Sequence, residues 1–584
     1  MIRNLSKNTN IIGFVAKVVG SSLISQTLSY GLEAGALQRS IEQQLPPIDI
    51  LQGVGPNPSP PQENVPSDPN AIKVLVLSFS FEGVTLFSEE ELQSVVVPWV
   101  GKEVKLSDLQ DAANAVSAFY QSKGRLAQVS IPPQTLENGK VLLKILEAKL
   151  GSVGVVKDPD LDIAEDRIAS YVTEESALGT FIDTDQVERS IFLLKETPGI
   201  ANVTTELEPG KNDGEVALNL KVDSANIFSG MATLNNYGSA STGIYQANAL
   251  LTYANPFGIG DQFTFNAIGA QGLANGYIAY SLPIGVRGTK LSLSSNYMSY
   301  RNIGDFYENG STGNASTLDA TLMHALYRSA TTNANISLDI AQKTYLNRSN
   351  ANGITTSNYQ INDITFGVNG NHYDGWAGGG VTTGSLSLTS GNLSSLGVPY
   401  AATTNLVAAN TPSSFQKINF SISRNQQIIQ NKTAFIATIN GQFANANLDP
   451  AEQFYLGGPY GVQSYPSGQG KGAQGFMLQL ELQQLFQDNL IGSLVFQAGR
   501  VQQFVNPYDG WQGNTNANNW YSLAGIGPSI KWSSGRFSLS GNVSWAIGQN
   551  PLYNNAGDPA NVDNRSPPIG LAPAYFWLQT SYAF

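Results

Sequence analysis

The sequence predicts a transmembrane β-barrel preceded by two small α+β domains. Three observations lead there. From residue 225 onward, apolar and uncharged polar residues alternate with the period of a β-strand almost throughout. That stretch carries 14 Lys+Arg and 14 Asp+Glu, so the whole net charge of −12 falls on the first 224 residues. A neutral, charge-poor part joined to an acidic, charge-rich part reads as a membrane segment joined to a water-exposed one. No run approaches the ~20 apolar residues that a membrane-spanning helix needs, so the crossing has to be made by strands.

Composition narrows the chemistry further. At 584 residues the chain is too long for one core. The absence of cysteine excludes disulfides and thiolate metal sites and suits an extracytoplasmic protein. With two histidines, His324 and His372, a histidine-based metal or catalytic cluster is not expected. No nucleophile–base set, phosphate-binding glycine loop or metal-ligand spacing is present, so neither an enzyme nor a cofactor or nucleotide protein is expected. The acidity argues against nucleic acid, which is bound by basic faces.

In chain order, residues 1–30 have a basic start (Arg3, Lys7) and a diluted apolar run, and read as a signal peptide. Cleavage near Ala34-Gly35-Ala36 and cleavage before Gly31 both fit. Residues 31–45 form a short helical pattern with Leu37, Ile41 and Leu45 at four-residue spacing. Eight prolines follow between residues 46 and 69, within a linker spanning 46–71. Such a segment is extended and semi-rigid.

Residues 72–148 read as a β-α-α-β-β domain. A strand is expected over 73–81, and Ser88 with Glu91 and Ser107 with Gln110 mark the starts of two helices. The second helix stops at Gly124, and strands over 125–131 and 140–147 follow. Residues 149–224 repeat the plan, with a strand over 151–157, helices over 164–172 and 184–195 (the latter capped by Thr184), and strands over 201–207 and 215–222. Within 225–584 the polar runs 384–396, 401–414 and 510–519 read as outer loops. His324, in an alternating run, reads as a lumen or girdle residue. The chain ends on an alternating strand with Phe576, Leu578, Thr580, Tyr582 and Phe584 on one face.

Residues 454–466 break the barrel pattern. Three glycines, two prolines and three tyrosines cannot form a ladder-paired strand, yet the stretch is too apolar for a solvated loop. It reads as a loop folded inward, with Tyr455, Leu456, Tyr460 and Tyr465 offering surface to bury, between strands over 435–443 and 475–485. Asn447-Leu448-Asp449, Glu452-Gln453-Phe454, Leu456-Gly457-Gly458-Pro459, Gly461-Val462 and Tyr465-Pro466 resemble the inward loop of two-partner secretion transporters. Phe81-x-Gly83, Tyr120-x-x-x-Gly124 and Pro132-Pro133-Gln134 are similar to that family's first polypeptide-transport-associated domain, and the 255–261 turn (Asn-Pro-Phe-Gly-x-Gly-Asp) is similar to one of its barrel hairpins.

The resemblance implies about sixteen antiparallel strands in the bacterial outer membrane, with the two domains in the periplasm. It implies outward translocation of an unfolded exoprotein of the haemolysin, adhesin or contact-dependent toxin class. It also implies that Leu37, Arg39 and Ile41 belong to a helix plugging the pore. Phe576, Tyr582 and Phe584 would signal to the barrel-assembly machinery, and the outer band would face lipid. A barrel-assembly factor and a passive porin are the alternatives. The first usually carries more such domains, and the second leaves the two domains and the inward loop unexplained.

The chain departs from that family at the loop tip. Where the family reads Val-Arg-Gly-Tyr, Val462-Gln463-Ser464-Tyr465 stands here. Gln497, with Gly499 two residues on, occupies the place of the wall aspartate that the arginine meets. Loss of one charge would strand the other, whereas loss of both leaves two amides able to exchange a neutral hydrogen bond. Gln463 and Gln497 are therefore expected to meet side chain to side chain, with the loop still folded inward.

Overall fold

A computed structural model describes residues 33–44, 73–134, 138–308, 310–397, 411–509, 511–512, 518–548 and 574–584. The signal peptide, the proline linker and Leu45 lie outside these residues, as do most of 401–414 and part of 510–519.

The first small unit holds two sheets. Lys73–Val76 pairs antiparallel with Lys102–Lys105, and a three-stranded sheet runs Ser78–Glu82, Lys140–Glu147, Ala127–Ser130. The strand expected over 73–81 is thus two strands. At Leu77 the chain changes partner, because the Gly139 carbonyl takes the Leu77 N–H at 2.8 Å while the Val76 carbonyl takes the Gly101 N–H at 2.7 Å. The first helix, Glu89–Val96, opens on the Ser88–Glu91 capping box that its sequence predicts. The second, Leu106–Ser122, starts earlier than expected: Asp108, not Gln110, accepts the Lys105 N–H at 2.8 Å. An ionised carboxylate suits a helix N-terminus better than an amide does. Gly124, at φ 70°, ends the helix in the left-handed conformation that glycine takes freely.

The second unit repeats this order. Its sheet runs Lys149–Lys157, Glu215–Ser224, Ile200–Pro209, against helices Glu165–Thr173 and Thr184–Lys195. The cap of the latter helix is Asp183, not Thr184; its carboxylate accepts the N–H groups of Asp185 and Gln186 at 3.1 and 3.2 Å.

Among the described residues, sixteen antiparallel strands close into one barrel, from Phe228–Asn235 to Ala574–Ala583. The last strand pairs with the first from Gln579↔Asn235 to Ala583↔Met231. Phe584 extends this seam, exchanging both backbone hydrogen bonds with Gly230 at 3.0 Å. Closure leaves no strand edge, the condition for crossing lipid without unsatisfied backbone groups. Outward positions carry exposed apolar side chains such as Leu251, Leu318, Ile364, Leu494, Phe576 and Tyr582, a contiguous band that only a lipid phase covers. Inward positions carry amides and hydroxyls that bond across strands, as Asn266 to Asn248 at 2.9 Å and Thr365 to Thr389 at 2.9 Å.

Residues 384–396, expected as a loop, are instead part of strand Gly380–Ser395. Leu386 and Leu388 point outward, and the alternating Ser385, Ser387 and Thr389 face the lumen, so the low apolar content reflects the wet face rather than a turn. His324 sits beside Thr289 at 2.9 Å, partly buried, on the same outward-facing row as Leu322 and Leu326.

The second unit is docked on the barrel's inner rim. Arg328 pairs with Glu196 at 2.7 Å and donates to Asn335 Oδ1 at 2.7 Å. Arg189 donates to the carbonyls of Arg287 and Ala325, and Asn255 in the 255–261 turn donates to the Asp162 carbonyl at 2.9 Å. Val286 and Ala325 of the barrel complete the unit's own core against Leu193 and Ile200. In that turn Asp261 is structural: it accepts the Phe257 N–H and the Tyr280 hydroxyl.

Glu147 ties the first unit together. Its carboxylate accepts the N–H groups of Thr85 (3.0 Å) and Leu86 (2.9 Å), the Tyr120 hydroxyl (2.8 Å) and the Thr85 hydroxyl. Burial alone would raise its pKa, but these donors outweigh that and hold it below the usual 4.5. A depressed folded-state pKa adds stability that is present above the unfolded value and is lost as pH falls through the folded one. Glu147→Gln is expected to speed hydrogen exchange at the Thr85 and Leu86 amides at pH 7 by the equivalent of about 1–3 kcal/mol. The gap between parent and variant should begin to shrink as pH falls below the ordinary 4.5 and should close only once pH has passed below the lowered folded-state value. A gap that stays unchanged down to the pH at which the domain unfolds would contradict this assignment.

Candidate functional site: the barrel lumen

Two elements fill the lumen. The first is helix Ala34–Glu42, shorter at both ends than the 31–45 pattern. Leu37 and Ile41 are 3% and 1% exposed and pack among wall residues Met298, Tyr300, Tyr345, Tyr359 and Phe415. Asn347, fully buried on strand Thr332–Ser349, accepts the Ala34 N–H at 3.0 Å and the Tyr300 hydroxyl at 2.5 Å. Arg39 turns away from the apolar stripe to Glu42, at 3.1 Å. The helix is amphipathic, but its polar side also lies inside the barrel, which is why so short a stripe suffices to seat it.

The second element is the loop between strands Thr433–Ala444 and Gln474–Gln487. It descends into the lumen, where Phe454–Tyr455 and Lys471–Gly472 form a two-residue hairpin. Leu456, Val462 and Tyr465 then pack on wall residues Met477, Val501, Tyr521 and Leu523. Gly458, at φ 119°, and the Gly457↔Val462 bridge make the reversal; a β-carbon on Gly461 would lie 1.9 Å from the Leu456 carbonyl oxygen. The wall is flattened to receive the loop. A β-carbon on Gly499 would stand 2.4 Å from Leu456 Cδ2, and one on Gly525 would stand 2.2 Å from Ser464 Oγ. Gly525 and Trp577 were not legible as partners, since glycines and aromatics are common throughout this barrel. Tyr460 is 49% exposed and meets Tyr237 edge-on at 5.8 Å, so it is not one of the buried anchors expected. Tyr455 bonds through its hydroxyl to the Pro450 carbonyl at 2.8 Å.

At the tip, the expected pairing is corrected in its chemistry. Gln497 is 1% exposed and its Oε1 accepts the backbone N–H of Gln463 at 3.0 Å. The Gln463 side chain instead turns back to the Pro459 carbonyl at 3.0 Å. The reason is an accounting of donors. The reversal leaves the Gln463 N–H aimed at the wall without a ladder partner, and a buried N–H requires an acceptor. The side-chain amide finds one within its own turn. Gln497 Nε2 donates onward to Gln479 Oε1 at 3.2 Å, and Trp577 Nε1 donates to the Gln463 carbonyl at 2.8 Å. Both backbone groups of the tip residue are thereby held from the wall.

These features agree with what known proteins show. The family model described as haemolysin secretion/activation protein ShlB/FhaC/HecB matches residues 214–531, and that of the ShlB-type POTRA (polypeptide-transport-associated) domain matches residues 74–148. Among relatives, the heme/hemopexin transporter protein HuxB of Haemophilus influenzae is 29% identical over 477 residues, covering 80% of this chain and 81% of that protein. The outer membrane transporter CdiB of Dickeya dadantii is 24% identical, covering 80% and 82%. Among solved structures, CdiB from Escherichia coli superposes with a TM-score of 0.66 at 18% identity over 91% of this chain and 94% of that one. BamA from Haemophilus ducreyi lacking its first three POTRA domains gives 0.52 at 14% identity, over 88% of this chain and all of that one. The closed barrel with its docked α+β units is the shared fold, and the model spanning residues 214–531 takes in more than half of the sequence. The chain therefore belongs to the haemolysin secretion/activation family, the two-partner secretion transporters of the bacterial outer membrane.

Proposed function

We propose that the periplasmic units capture an unfolded exoprotein by its strands and pass it into the lumen, which the helix closes at rest and the inward loop lines. The observation that carries this reading is the filling of the lumen by two separable elements rather than by the wall itself. A barrel meant to stay shut would need neither. A passive porin is poorly served by a pore so occupied. Each small sheet leaves edge strands: Ile200–Pro209 in the second unit has most of its residues exposed, and Ala127–Ser130 ends the sheet of the first. An extended polypeptide can add a strand at such an edge without a particular sequence, since main-chain hydrogen bonds supply the affinity. Membership of the haemolysin secretion/activation family supports a secreted polypeptide as the cargo. Gln497, Gly499 and the tip residues Gly457, Gly458, Pro459, Val462, Gln463, Ser464 and Tyr465 hold the loop where cargo would pass. Phe576 and Tyr582 on the closing strand, with Phe584 just past it, present the lipid-facing surface that barrel-assembly machinery would engage.

Three outcomes test this account. Deleting residues 73–224 should abolish export while leaving a heat-modifiable barrel in the membrane; undiminished export would end the capture role. Deleting residues 34–44 should raise single-barrel conductance in planar bilayers, and an unchanged conductance would mean that the helix does not close the pore. Gln497→Ala leaves the Gln463 N–H without its acceptor, a loss of roughly 1–3 kcal/mol. It should reduce export well below that of Gln463→Ala, which keeps the backbone donor. Equal export by the two variants would show that the tip is not held through the Gln463 N–H.

A further inference from the structure

The tip contact is not the loop's strongest attachment. Glu452, near the base of the loop and 1% exposed, lies between two lysines of the wall: Lys343 Nζ at 2.8 Å and Lys417 Nζ at 2.5 Å. Lys343 also meets Asp363 at 2.9 Å. The three wall residues stand on three strands, Thr332–Ser349, Thr355–Asp374 and Ser414–Ile429, so one carboxylate spans a broad arc of the barrel. Two ammonium groups and two carboxylates balance, which is what allows the set to be buried. The backbone is held at the same residue: the Gln442 amide donates to the carbonyls of Glu452 and Ala473, each at 2.9 Å, and so ties the two ends of the loop together.

The residues just before Glu452 carry the plug helix. A β-carbon on Gly35 would stand 3.1 Å from both Cβ and N of Ala451 and 3.3 Å from Asp449 Oδ1, so helix and loop are in direct contact there. Asp449 is fixed in turn by the Ala451 N–H at 2.9 Å and the Tyr359 hydroxyl at 3.1 Å. We infer that Glu452 is a positioning residue for the plug. Its ionic bridge to Lys343 and Lys417 fixes residues 449–451 as the seat on which the helix rests, although no hydrogen bond joins Glu452 to the helix. This rests on the plug reading above and adds to it a named anchor on the loop side.

The chain has no cysteine, so an introduced pair gives a clean readout. A β-carbon on Gly35 would stand 3.1 Å from Ala451 Cβ, a few tenths of an ångström inside the usual ~3.5–4.5 Å disulfide span, so Gly35→Cys with Ala451→Cys in the full-length chain should cross-link after a small local shift. Adding Glu452→Gln should lower the disulfide yield several-fold and raise conductance toward that of the barrel lacking residues 34–44. In the plug-deleted barrel, Glu452→Gln should add no further conductance. Glu452→Gln leaves Lys417 with no carboxylate partner among the described residues; should it fail to assemble, Glu452→Gln with Lys417→Met removes one charge of each sign and should assemble while still losing the cross-link. An undiminished disulfide yield in Glu452→Gln, or in the double variant where the single one fails to assemble, would overturn the inference. So would an equal conductance increment with and without the plug. If deletion of the helix itself leaves conductance unchanged while the disulfide yield still depends on Glu452, the closing role fails and the seat stands.

Discussion

Everything in this molecule depends on one constraint: inside a bilayer every backbone N–H and C=O has to find its partner within the protein. The chain meets it by closing sixteen strands on themselves, and closure creates an interior that has to be occupied or left open. The lipid face takes the apolar side chains. The interior takes amides and hydroxyls, which bond across strands without the desolvation that charges would incur. Few ionisable groups remain, and a neutral cluster of them is gathered where the loop enters the lumen, at Lys343, Asp363, Lys417 and Glu452.

The same economy explains the tip. A charged pair in a confined site is strongly destabilised when one member is lost, whereas an amide that accepts a backbone N–H tolerates change at the residue supplying that N–H. In this chain the tip is held through its main chain, by Gln497 Oε1 on the Gln463 N–H. Gln463 can then vary without loosening the reversal, provided Gln497, Gly499 and Gly525 keep the wall flat and furnished with an acceptor. Below the barrel, the second unit shares its core with the barrel through Val286 and Ala325 and is locked by Arg328 and Glu196. It is an extension of the rim, which keeps its edge strands at a fixed place near the pore.

Much of this was legible in the sequence for physical reasons. Period-two alternation is imposed by the pleat, so Gln246–Ala254, Phe537–Ala546 and the closing strand could be read directly. The Ser88–Glu91 box and Gly124 are local signals that tertiary context does not override. Around Gly384–Ser390 the alternation rests on Leu386 and Leu388 alone, and the glycines and serines flanking them give the stretch the composition of a loop. At Leu77 the buried side switches from Val74 and Val76 to Phe79 and Phe81; an unbroken apolar run across 74–77 masks that slip, and the Gly139 carbonyl that takes the Leu77 N–H reveals the change of partner. The lumen contacts were harder still. Glu452, Lys343 and Lys417 are far apart in sequence and carry no local signature. Gln497 lies against the tip but accepts the Gln463 N–H rather than meeting its side chain, a contact hidden because sequence shows side chains and not backbone donors.

On the proposed route, cargo passes through the lumen that helix and loop occupy at rest. Site-specific photo-cross-linking in exporting cells tests it most directly, with a photoreactive residue at lumen-facing Tyr345, at edge-strand Leu207 or at lipid-facing Leu386. The account predicts adducts to the exported polypeptide at Tyr345 and Leu207 and none at Leu386. Efficient export with no adduct at Tyr345, or adducts concentrated at Leu386, would contradict it.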